Sequence, residues 1–204
     1  MAKSNIIKIS LTDFIDFVSK KGSTKLTQVK KVKERKDYHP AKDYYKYVRE
    51  GIISIHEASG DKEEFEALIK NTPDIRKKEN FEKAIKGYTK YLGKKPVSWV
   101  EPPFRHWNSG NLDVKLNPEV GLKYDGTKHF IKLYFKGEAL SKTKVSQILS
   151  LMESELRVKV KRDDLFCVLD VRTGKLFCNE KKDISLLPLL KGEVMSFETI
   201  WNSI

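Results

Sequence analysis

The dipeptide Asp125-Gly126 constrains this chain more than any other pair of residues. It stands between two segments of alternating polarity. A two-residue connection of this kind needs positive φ at both positions, which Asp tolerates and Gly favours, and its twist lets the flanking strands pair. Val120, Leu122 and Tyr124 recur at period two before it, and Leu112, Val114 and Leu116 do so further upstream. After it runs His129 to Lys136. Alternation puts Ile131, Leu133 and Phe135 on one face and Lys132, Tyr134 and Lys136 on the other. Pro118 interrupts the upstream pattern and marks a bulge or an edge position.

The first half reads as helices. Ser10 caps the first, with Leu11, Phe14, Ile15 and Val18 at helical spacing and Gly22 as the stop. A second starts near Thr24, with Leu26, Val29 and Val32 inward and Lys30, Lys31, Lys33, Arg35 and Lys36 outward. Pro40 suits the start of a third, Asp61 of a fourth, and Phe81, Ile85, Tyr88 and Leu92 line a fifth that Gly93 closes. Residues 94–110 are rich in proline and read as an irregular loop holding Trp99, Phe104 and Trp107. Beyond the hairpin, Ser141 caps a helix through Leu156, and a strand is expected over residues 157–161. A buried strand at 165–171 turns back through Arg172-Thr173-Gly174-Lys175, and a terminal helix begins near Glu193. The fold class is α+β: a helical region over 1–95 and an α+β region over 96–204 with a mixed or antiparallel sheet, as two domains or two halves of one.

Forty Lys and Arg against 28 Asp and Glu leave a formal net charge of +12. Such an excess suits a polyanionic partner, DNA before RNA, or simply keeps the chain soluble. The expected phosphate contacts are Lys30, Lys31, Lys33, Arg35, Lys132, Lys136, Lys142 and Lys144. Arg105 and Trp107 join them from a segment that mixes aromatics with cations, as single-strand binders do; the other reading pins its tryptophans onto the core. No stretch approaches the ~20 apolar residues of a membrane span, and Ile6 and Ile7 run straight into Lys8, so no leader is read. A cytoplasmic location is expected, with Cys167 and Cys178 as reduced, buried thiols. His39, His56, His106 and His129 lack metal-ligand spacing. There is no Gly-x-Ser-x-Gly elbow and no phosphate-binding glycine loop. A cofactor is therefore not expected, and the leading reading is a non-catalytic nucleic-acid-binding protein. A protein-interaction or regulatory factor is a further reading.

Pro118-Glu119, Asp125, and Lys132 and Lys136 on the return strand stand in the order hairpin, lysine-bearing strand, helix, strand. That order resembles the core of the PD-(D/E)XK nuclease superfamily, across roughly residues 112–171. The resemblance implies a restriction-endonuclease-like fold and Mg²⁺-assisted phosphodiester hydrolysis, with Glu119 or Asp125 as metal ligands and Lys136 beside the attacking water. Where the family carries a second acid two residues before its lysine, this chain has Tyr134 before Lys136 and Phe130 before Lys132. Asn117 to Leu122, Ile131 to Lys136 and Leu140-Ser141-Lys142 are also similar to small bacterial and phage proteins, a resemblance that implies no activity.

Overall fold

The computed structural model describes residues 6–35, 43–179 and 183–204. Lys36, Pro40 and His39 lie outside them. The fold is α+β. Among the described residues there are seven α-helices and two mixed sheets.

Ile7–Ser10 forms β1, and its last residue caps α1, Leu11–Val18, by accepting from the Asp13 amide. α2 follows at Ser23–Lys33, then α3 at Lys46–Glu57, α4 at Lys62–Lys70 and α5 at Lys78–Leu92. Two short strands come next, β2 at Ser98–Trp99 and β3 at Arg105–Ser109. β4 is Leu112–Leu116, β5 Val120–Tyr124 and β6 Thr127–Tyr134. α6, Lys142–Leu156, leads to β7, Leu165–Asp170, which turns into β8, Lys175–Cys178. α7, Leu187–Ser203, ends the chain.

The hairpin forms as its dipeptide requires. Asp125 has φ 49° and Gly126 φ 76°, and Tyr124 pairs with Thr127. β5 and β6 lie within a five-stranded sheet ordered β2-β5-β6-β7-β8, in which β6 and β7 run parallel because α6 crosses between them. A smaller sheet, β1-β4-β3, pairs the first strand parallel to β4.

The larger sheet is covered on both faces. Ile131, Leu133, Cys167 and Leu169 face a core built from α3, α4 and α5, including Ile52, Phe65, Phe81 and Tyr88. Phe130, Tyr134, Phe166 and Val168 face a second core with Phe14, Phe17, Trp107, Met152 and Phe197. A strand buried on both sides needs apolar residues in succession, which β6 and β7 supply. Residue 95 is consequently not a packing boundary, since each core draws residues from both sides of it. α5 comes close enough to the end of β7 that a Cβ on Gly87 would lie 1.9 Å from the Val171 carbonyl oxygen.

Several expectations need correction. Gly22 does not end α1; with φ 52° it precedes α2. The loop at 94–110 contains β2 and β3. No strand forms over 157–161; Arg157–Lys159 is a 3-10 turn, and the Arg157 guanidinium gathers the carbonyls of Lys161, Arg162 and Asp164. Pro118 is neither bulge nor edge; it lies where the chain leaves one sheet, at β4, and enters the other, at β5. Cys167 and Cys178 are not free thiols. They stand opposite each other on β7 and β8 and form a disulfide, so the argument for a reducing compartment that rested on them falls. No helix among the described residues is long and apolar enough to cross a membrane.

The α3–α5 core encloses a titratable histidine contact. His56 Nε2 meets the Tyr88 hydroxyl at 2.7 Å, both buried. Burial pushes the His56 pKa from 6.5 down to about 4. The unfolded chain therefore takes up a proton before the folded one does. This contribution is complete above pH 6.5 and is lost as pH falls toward 4, a difference on the order of 3 kcal/mol. Urea unfolding of the native chain and of His56→Gln between pH 7 and 4 checks this. The native chain should lose about 3 kcal/mol more than the variant; His129, whose pKa burial also lowers, is common to both. Parallel pH profiles would refute it.

Candidate functional site

The carboxyl end of β6 gathers Glu119, Lys132, Lys136 and Lys144 from among the residues singled out from the sequence. Glu119 stands just before β5, and its amide donates to the Ile131 carbonyl at 3.0 Å. That pairing carries its side chain back over β6. There one carboxylate oxygen receives the Lys132 ammonium, and the other accepts the Leu133 amide at 2.8 Å. Lys132 also donates to the Asn117 carbonyl at 3.3 Å. Both side chains are less than a tenth exposed.

Tyr134, two residues on, is buried, and its hydroxyl has no well-formed hydrogen bond. Burial, reinforced by the nearby carboxylates of Glu138, Asp16 and Asp170, raises its pKa. Lys136 forms an ion pair with Asp16 of α1. Lys144, on the first turn of α6, reaches back to Glu138 at 2.6 Å and holds that carboxyl below its usual range. Arg35, past the end of α2, grips Asp13 with both terminal nitrogens at 2.7 and 2.8 Å. Burial works against the Asp13 carboxylate, but the Arg35 fork and the Ser10 hydroxyl outweigh it and keep its pKa low.

The result is four acid–base pairs running from β6 to α1, α2 and α6, and not a cluster of free acids. Among the described residues, no three His, Cys, Asp or Glu side chains come together as metal ligands. Glu119 and Asp125, the two acids implied by the nuclease resemblance, occupy opposite ends of the hairpin. The five residues of β5, six Cα steps, separate them by about 20 Å. They cannot share a Mg²⁺ ion. Glu119 has also committed both oxygens, and the lysine that meets it is Lys132, not Lys136. These residues do not fit the implied metal.

The expected phosphate contacts divide accordingly. Lys132 and Lys144 are buried and paired, so neither is offered to a ligand. Trp107 is 4% exposed and packs edge-on against Phe14, so it is a core residue. Arg105 is exposed but holds the Glu155 carbonyl at 3.3 Å. Lys33 donates to the carbonyls of Trp201 and Ile204 and lies over the Trp201 ring. Lys30, Lys31 and Lys142 project into solvent.

Sequence reasoning missed Asp13 and Asp16, the acids that absorb Arg35 and Lys136. It also missed the outward row of the smaller sheet, where Lys8 and Lys115 stand. An Ile-Lys-Ile alternation at residues 7–9 was the available signal. No protein-family model matches the chain, and no curated protein matches it.

The buried pair makes a clear prediction. Glu119→Ala strands the Lys132 ammonium and should cost about 3–5 kcal/mol, whereas Glu119→Leu with Lys132→Met should recover most of it. Lys136→Ala, at a half-exposed pair, should cost no more than about 1 kcal/mol. Urea midpoints measure all three. A Glu119→Ala loss as small as that of Lys136→Ala would show that the pair is not buried as described.

Proposed function

We propose that the chain is a non-catalytic nucleic-acid-binding protein that holds phosphates through exposed lysines. The observation that carries the reading is the outer stripe of α2. Thr27, Lys30, Lys31 and Glu34 follow one another at helical spacing and, with Arg35, line a shallow depression of about 610 Å³. Lys30 and Lys31 are exposed and enter no ion pair among the described residues. Two adjacent, uncommitted ammonium groups on a rigid helix suit a phosphate backbone, where each neutralised phosphate releases counterions. Lys142, exposed at the start of α6, is a further candidate contact. The formal charge of +12 supports the same reading, because it leaves a surplus after the internal ion pairs are formed.

Binding of labelled duplex DNA, followed by anisotropy between about 50 and 200 mM salt, tests the proposal. Affinity should fall steeply with salt and vary little with sequence. The double variant Lys30→Ala, Lys31→Ala should bind more weakly and flatten the log–log salt slope by about 2. Undetectable binding at the lowest salt, or a slope indifferent to the double variant, would sink the α2 contact surface.

A further inference from the structure

The three-stranded sheet turns one face to the core and leaves the other in solvent. Ile7, Ile9, Leu112, Val114, Leu116 and Trp107 point inward and are buried. The outward residues stand in two rungs, set by the strand register. His106 pairs with Lys115, and Lys115 with Ser10; Asn108 pairs with Asp113, and Asp113 with Lys8. Lys8, Lys115, His106 and Asn108 are exposed.

Phe104, just ahead of β3, joins this face. The residue is 43% exposed, which is unusual for phenylalanine in a chain with two well-filled cores. It stands edge-on to the His106 ring at 5.0 Å, and the Lys115 ammonium lies 5.2 Å from its centroid. The position is braced from behind, since Lys159 donates to the Phe104 carbonyl at 2.6 Å. Asp113, the acid of this face, is hydrogen-bonded to His106 Nδ1. That contact orients the imidazole and ties the carboxylate to the sheet, beside the Lys115 and Lys8 positions.

Two solvent-facing rings on a sheet, with lysines alongside and the neighbouring acid hydrogen-bonded to one of the rings, make a platform on which bases stack while phosphates meet ammonium groups. We propose that this face binds single-stranded nucleic acid, with Phe104 and His106 stacking on bases and Lys8 and Lys115 contacting the backbone. A duplex keeps its bases stacked on each other and cannot use the rings. The inference rests on the nucleic-acid reading above but concerns a different surface from α2.

The test compares labelled oligothymidylate with a duplex of equal length, using the full chain. Phe104→Ala should weaken single-strand binding about 5- to 100-fold and leave duplex binding and circular dichroism unchanged. Phe104→Trp should restore it. Lys115→Ala should reduce the single-strand salt slope by about 1. Photocrosslinking of a halogenated oligonucleotide to the native chain should label the peptide around residues 104–106, which checks the site without any substitution. If the chain binds duplex but Phe104→Ala leaves single-strand affinity unchanged, or crosslinks map elsewhere, this surface is wrong while nucleic-acid binding stands. If neither form of DNA binds, both readings fall.

Discussion

The contact between Glu119 and Lys132 is the interaction on which the rest of the structure depends. β6 is buried on both faces, and a lysine in the middle of such a strand has nowhere to hydrate. An unpaired ammonium there would cost several kcal/mol. Glu119 removes that cost by placing a carboxylate against Lys132, and its second oxygen takes the Leu133 amide. The Asn117 carbonyl completes the shell. Because Asn117 and Glu119 flank Pro118, satisfying one buried charge also fixes the path from the smaller sheet to the larger one. With that crossover set, β4 pairs with β1 on one side and β5 with β6 on the other.

How much of this was legible in the sequence depends on how local each cause is. The hairpin was legible because Asp-Gly acts within two residues. The helices were legible because their apolar spacing is local, and their caps are single side chains: Ser10, Asp61 and Ser141 each accept from an amide three residues on. β1 and β3 were not. β1 has only four residues, so its Ile-Lys-Ile alternation is too short to stand out, and β3 points a single large apolar side chain inward. The face of Lys132, Tyr134 and Lys136 read as a source of phosphate contacts for a related reason. The acids that let that face be covered lie 13 and 120 positions away, and no spacing rule reaches so far.

The same distance explains why the basic clusters were a poor guide to free charge. Net charge counts cations without saying which are spent. Arg35 belongs to the α2 run in sequence yet serves as a clamp on Asp13, and Lys33 serves as a clamp on the end of α7. Lys144 stands where a phosphate contact was expected and is instead closed against Glu138. What remains of the expected contacts is narrower and more specific in position: Lys30 and Lys31 on one stripe of α2 and Lys142 at the start of α6, to which the structure adds the outward rungs of the smaller sheet.

The arrangement at the head of the hairpin also has a chemical consequence. An acid at the start of β5 and lysines on β6 are the residue types that a metal-dependent hydrolase would use, but chemistry needs them uncommitted. A carboxylate whose oxygens already hold an ammonium and a backbone amide has little left for a divalent cation. Freeing it would strand Lys132 inside the protein. Recruiting Glu119 to a metal would therefore oppose the stability of the sheet that positions it. The outward faces of α2 and the smaller sheet are under no such constraint, since their side chains can engage a ligand without unpairing anything in either core. Binding at those surfaces is compatible with the fold as it stands.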